Sequence, residues 1–128
     1  MILADSDVLI DYLAGAQPIT RRVEDFIRSD SLQISSITCF ELLSGAQETK
    51  RGKRTRALMD SLPILPLDRE SAIEAASVRR NLARTGRSIG MADSLIAGVA
   101  LANNLPLFTR NKKHFELVQE LRLVPWEV

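Results

Sequence analysis

The strongest constraint in this chain is an alternation. Short apolar runs, too brief for helices, are separated by stretches in which apolar residues recur at helical spacing. Residues 2–4 form the first run, followed by a helix from Val8, capped by Asp7, to about Gly15. Pro18 opens another helical stretch, with Ile19, Val23, Phe26 and Ile27 on one face. Residues 32–37 read as the second strand; Thr38 then caps the next helix, with Glu41 as its capping-box partner. Residues 48–56 are charged and polar, either a loop or the exposed face of a helix. Ile64 and Leu65, between Pro63 and Pro66, form the third strand. A long helix over residues 69–84 turns Ile73, Ala76 and Ala83 inward and closes at Gly86. Residues 91–102 form another, after Gly90 and stopped by Asn103 and Asn104. Residues 105–109 and 122–125 complete the strands. Short strands that are apolar throughout, alternating with helices, call for an α/β layer architecture with a mainly parallel sheet.

At 128 residues the chain is long enough for one domain, residues 1–128, and for a core that holds without staples. Cys39 is the single cysteine, so an intramolecular disulfide or a multi-cysteine metal site is excluded, and it reads as a small core side chain. The opening MILADSD lacks the basic-then-apolar order of a secretory signal, and no apolar stretch approaches a membrane span, so the protein is expected to be soluble and cytoplasmic. A net charge of +1 does not announce a nucleic-acid binder; a basic footprint must come from local clustering. With 5% aromatic residues, a stacking platform for single strands has little material.

Three carboxylates stand in apolar settings after short strands: Asp5, Glu41 and Asp93. Each has an ordinary reading, Asp5 as a turn residue, Glu41 in a capping box, Asp93 as a cap in the first turn of a mostly buried helix. As a set, one shared divalent cation accounts for all three, because carboxylate clusters suit Mg²⁺ or Mn²⁺. His114 is the sole histidine and reads as a partly exposed residue beside the packing residue Phe115. No G-x-S-x-G elbow surrounds Ser6, Ser88 or Ser94, which removes support for a serine nucleophile. Trp126 is expected to anchor the terminus or a partner contact.

The segments ILADSDVLIDYL, ITCFELLSGA, GMADSLIAGVALANNLPLFTRNKKHF and LRLVPW resemble, in order and over essentially the whole chain, the motif regions of PIN-domain proteins, and among them the VapC toxins of toxin–antitoxin pairs. The resemblance implies a three-layer α/β/α fold and a Mg²⁺- or Mn²⁺-dependent ribonuclease. Its acids fall on Asp5, Glu41 and Asp93, which would hold the metal, and its fourth acidic position on Asn111, a departure that supplies a carbonyl oxygen without charge. Ser6 falls on the polar residue after the first acid and Thr109 on the family's hydroxyl residue near the site. It further implies an RNA substrate, a cognate VapB-like antitoxin, a homodimer and a toxin–antitoxin hetero-oligomer.

Basic residues gather at positions 50–56, at Arg79, Arg80, Arg84 and Arg87, and at Arg110, Lys112 and Lys113; the last group, beside Asn111, is best placed to hold an RNA backbone. Two other readings stay open. Asp5–Ser6–Asp7 matches the D-x-D opening of haloacid-dehalogenase-like phosphatases, with Asp5 as nucleophile. Asn111 also leaves room for an RNA- or protein-binding module without turnover.

Overall fold

The computed structural model describes residues 1–126. Their elements run β1 (Ile2–Ala4), α1 (Ser6–Leu13), α2 (Ile19–Arg28), β2 (Leu32–Ser35), α3 (Ser36–Ser44), α4 (Lys50–Ser61), β3 (Ile64–Leu65), α5 (Arg69–Arg84), α6 (Met91–Ala102), β4 (Leu107–Phe108) and α7 (Lys112–Phe115). The strands form one sheet in the order β3-β2-β1-β4, every pair parallel. Ile2 lies opposite Leu32, Leu3 opposite Leu107, and Ile34 opposite Ile64.

Strand alternation feeds two cores. Ile2, Ala4 and Phe108 face one side, against Val8, Val23, Leu42 and Met59 from α1, α2, α3 and α4. Leu3 and Leu107 face the other, against Val78, Leu82, Ile96 and Phe115 from α5, α6 and α7. Both faces are therefore covered, which makes the architecture a three-layer α/β/α sandwich and explains why β1, β3 and β4 carry no polar residue; β2 alone alternates, with Gln33 and Ser35 between and after Leu32 and Ile34. Among the described residues no helix is long and apolar enough to cross a membrane.

Several expectations are corrected. Helix α1 starts at Ser6 because Asp5, not Asp7, is its cap, accepting the Ser6 N–H at 2.8 Å. Ser35 rather than Thr38 caps α3, through the Thr38 N–H, so β2 stops at Ser35 and Glu41 lies within the helix, outside any capping box. Of residues 48–56, the last seven form the start of α4, with Thr49 as its cap and Glu48 before it. On α5 the inward residues are Ser71, Ala75, Val78 and Leu82, whereas Ile73 is 53% exposed and Ala76 and Ala83 face solvent. Small residues point inward there because α6 comes close: a Cβ on Gly98 would sit 2.7 Å from that of Ala75. Instead of a terminal strand over 122–125 there is a single parallel bridge, Leu107 to Leu123. Cys39 is only half-buried, packed on the edge of the first core.

Other stops fall where expected. Gly86, after α5, takes a left-handed φ of +68°, and the Asn103 amide donates to the Val99 carbonyl at 2.8 Å, closing α6. Trp126 packs on Phe108, and Arg22 donates to its carbonyl, which anchors the chain end described here.

Candidate active site

The chain builds β1, β2 and β3 outward in one direction, then returns to lay β4 on the other side of β1. The crevice between β1 and β4 is thus the topological switch point, the place where open parallel sheets hold functional groups. Asp5 leaves β1 there and Thr109 leaves β4. The Thr109 hydroxyl donates to Asp5 Oδ2 at 2.7 Å and accepts the Asn111 N–H at 3.0 Å. Asp5 is 5% exposed and Thr109 1%.

Asp7, in the first turn of α1, crowds the same corner. Its Oδ2 accepts the Arg110 backbone N–H at 3.1 Å, while its Oδ1 is buried with no hydrogen-bond partner. Burial foremost, then the Asp7 charge, with a smaller push from Asp93, raises the Asp5 carboxyl from 3.8 to about 7, although Thr109 and the Ser6 N–H pull the other way. Burial also pushes Asp7 upward against the backbone N–H and charge of Arg110. The corner is short of positive charge, and a hard divalent cation is the kind of group such oxygen donors accept.

Glu41 projects from α3 at the exposed edge and accepts the Ser6 hydroxyl at 2.6 Å, so Ser6 ties the second strand's acid to the helix that Asp5 caps. Asp93 stands in the first turn of α6, half-buried; the cap there is Gly90. Its Oδ2 lies 3.4 Å from both Asn111 Nδ2 and His114 Nδ1, and those two nitrogens are 2.9 Å apart. Around the rim, Arg110, Asn111, Lys112, Lys113 and Trp126 line a shallow hollow of about 470 Å³. The Arg110 guanidinium is turned along α1, where its Nε pairs with Asp11 at 2.8 Å.

Asp5, Ser6, Thr109, Arg110 and Asn111 therefore lie just past or at the ends of β1 and β4, Asp93 at the start of α6, and Glu41 in the middle of α3, the helix that follows β2. As they stand, no three His, Cys, Asp or Glu side chains among the described residues are arranged to hold a metal ion. Asp5 is turned to Thr109 and Ser6, Glu41 to Ser6, and Asp93 to Asn111 and His114.

The sequence profile of the PIN domain matches residues 2–121. The chain belongs to the PIN-domain family. This PIN domain is 36% identical over 122 residues to "Ribonuclease VapC1" of Methanocaldococcus jannaschii, covering 95% of this chain and 84% of that protein. It is 32% identical over 128 residues to "tRNA(fMet)-specific endonuclease VapC" of Shigella flexneri, covering 97% and 96%. Among solved structures it superposes on VapBC2 from Rickettsia felis, bound to a promoter DNA fragment, with a TM-score of 0.84, 25% identity and coverage of 99% and 100%. DNA-bound VapBC from Salmonella typhimurium gives 0.81, 28%, and 98% and 99%.

Membership sets aside the haloacid-dehalogenase reading of Asp5–Ser6–Asp7. Two further residues of this PIN domain's corner lie outside the residues that the family resemblance marks. Asp7 reads locally as a cap, or as the second acid of a D-x-D pair, and two acids one residue apart at a helix start crowd one corner. His114 lies three residues after Asn111, one helical turn on, a spacing that brings two polar side chains together.

Proposed function

We propose that this chain is a VapC-type endoribonuclease, the toxin of a toxin–antitoxin pair, which hydrolyses RNA phosphodiester bonds in the cytoplasm with Mg²⁺ or Mn²⁺. The observation that carries this reading is the pair of buried Asp5 and half-buried Asp7 at the β1/β4 crevice, with Asp93 near enough to add to its repulsion. Asp5 and Asp93, with Glu41 at the edge, are the residues that would hold the cation.

A bound divalent cation supplies positive charge at the scissile phosphate and makes an attacking water more acidic. The rest falls to the chain. Thr109 holds Asp5 oriented and gives the carboxylate form a hydrogen bond, which keeps it available for a cation. Ser6 positions Glu41. Asn111, without charge, orients polar groups beside Asp93. Lys112 and Lys113 on the rim, with Arg110 once it leaves Asp11, meet the RNA backbone, and they hold phosphates without reading bases. A cognate VapB-like antitoxin partners the chain in a hetero-oligomer, with the chain itself as a homodimer.

The test is cleavage of total RNA by purified protein with Mg²⁺ or Mn²⁺, with chelator, and with Asp5→Asn and Asp93→Asn. Cleavage should need the cation and both acids. Cleavage that survives chelation overturns the metal reading. RNA retained but never cut, unaffected by Asp5→Asn, favours the binding-module reading that Asn111 keeps open.

A further inference from the structure

We propose that His114 supplies a nitrogen donor beside Asp93, biasing the site toward Mn²⁺ and other imidazole-accepting divalent ions over Mg²⁺; this rests on the metal-dependent reading above. The placement of the ring is polar in origin. Its side chain is 52% exposed, so burial does little to hold it, yet Nδ1 points at Asp93 Oδ2 (3.4 Å) and the Asn111 amide (2.9 Å). Asn111 occupies the cap position of α7 but makes no side-chain cap bond; its amide is spent on His114 and Asp93. Where Asn111 Nδ2 donates, Nδ1 accepts through its one lone pair. A cation that takes that lone pair displaces the amide, which, turned end for end, offers its carbonyl oxygen. Asp93, His114 and Asn111 then form a mixed oxygen and nitrogen set.

Mixed sets discriminate. Mg²⁺ prefers an all-oxygen octahedron and keeps its waters, whereas imidazole favours first-row transition ions. The acids in the β1/β4 corner serve either ion; the nitrogen serves the second class. Replacing the ring by an acid would make this half of the site all-oxygen.

The experiment is calorimetric titration of the metal-free full chain with Mg²⁺ and separately with Mn²⁺, for the native protein, His114→Gln and His114→Asp. His114→Gln should lower Mn²⁺ affinity roughly 10- to 100-fold with only a small change for Mg²⁺, and His114→Asp should narrow the preference by strengthening Mg²⁺. Because the chain has one histidine, ¹⁵N spectra of the native protein give a direct reading: Zn²⁺ should shift the Nδ1 resonance while Nε2 keeps its proton. If the native chain binds no cation, the metal-dependent reading and this inference fall together. If it binds both ions but His114→Gln leaves their affinity ratio unchanged, or Zn²⁺ leaves Nδ1 unmoved, this inference alone is overturned.

Discussion

The two halves of the site treat the same chemical group in opposite ways. At the β1/β4 corner, Asp5 is closed off from water and fastened by bonds of 2.7 and 2.8 Å, with a second acid packed beside it. At the α6/α7 corner, Asp93 is half-buried and has only two contacts of 3.4 Å, to neutral or ionisable nitrogens. Burial separates them. The first half is set in advance and stores repulsion; the second stays open and can adjust to what binds. A site made this way holds its charge fixed at one corner and leaves the other able to adjust.

The sharpest way to break this contrast is Asp5→Asn. It should cost cleavage roughly 10²- to 10³-fold, in line with loss of a main electrostatic group. The same change should stabilise the metal-free fold. The native Asp5 carboxyl titrates near 7, against 3.8 for an ordinary aspartate, so its contribution to stability is full below about pH 4 and is lost as pH rises through 7. An amide keeps the cap without titrating, so thermal melts in chelator should find the variant ahead by a margin that grows from pH 4 to pH 8. At about 1.4 kcal/mol per unit, the gain at pH 8 is on the order of 2–4 kcal/mol. Asp93→Asn should lower cleavage roughly 10- to 100-fold yet leave the melting temperature nearly unchanged, because that acid is less deeply buried. Equal stabilisation by both variants would erase the distinction.

Thr109→Val probes the fastening itself. Losing a buried hydroxyl that donates to Asp5 and accepts from Asn111 should destabilise by about 1–2 kcal/mol. It also removes a bond that favours the carboxylate, so the pH–rate profile of cleavage should move to higher pH. The smallest effect belongs to Arg110→Ala. Its ion pair with Asp11 is half-exposed and worth less than about 1 kcal/mol, so chemical denaturation should barely change. RNA binding should weaken a few-fold at low salt, with a shallower salt dependence.

The sheet was legible because β1, β3 and β4 are apolar on both faces, the pattern of a doubly covered sheet, and β2 keeps apolar Leu32 and Ile34. Helix faces were harder. On α5, Ile73 looks like a core residue and Ser71 and Ala75 do not, yet close contact with Gly98 on α6 reverses them; nothing local in α5 records how near α6 comes. Caps were ambiguous wherever two suitable residues stood close together: Asp5 and Asp7 can each begin a helix, as can Ser35 and Thr38, and where the strand ends decides. At the site, the positions of Asp5, Glu41 and Asp93 were readable because each follows an apolar run. The charge state of Asp5 was not, since it depends on burial under residues from β4. The approach of His114 to Asp93 spans 21 residues and one edge of the sheet, beyond the reach of local pattern.

The fastening of Asp5 by Thr109 has a consequence in time. The two residues are 104 positions apart, and β1 gains its β4 neighbour only through residues 107 and 108. A chain growing from its N-terminus carries Asp5, Asp7 and Glu41 early, but its first strand lacks one flank and its first acid lacks its anchor until residues 107–109 have emerged. The order of synthesis therefore leaves the corner unassembled for as long as β4 is unmade, and a shorter nascent chain holds its acids without the hydroxyl that orients the first of them.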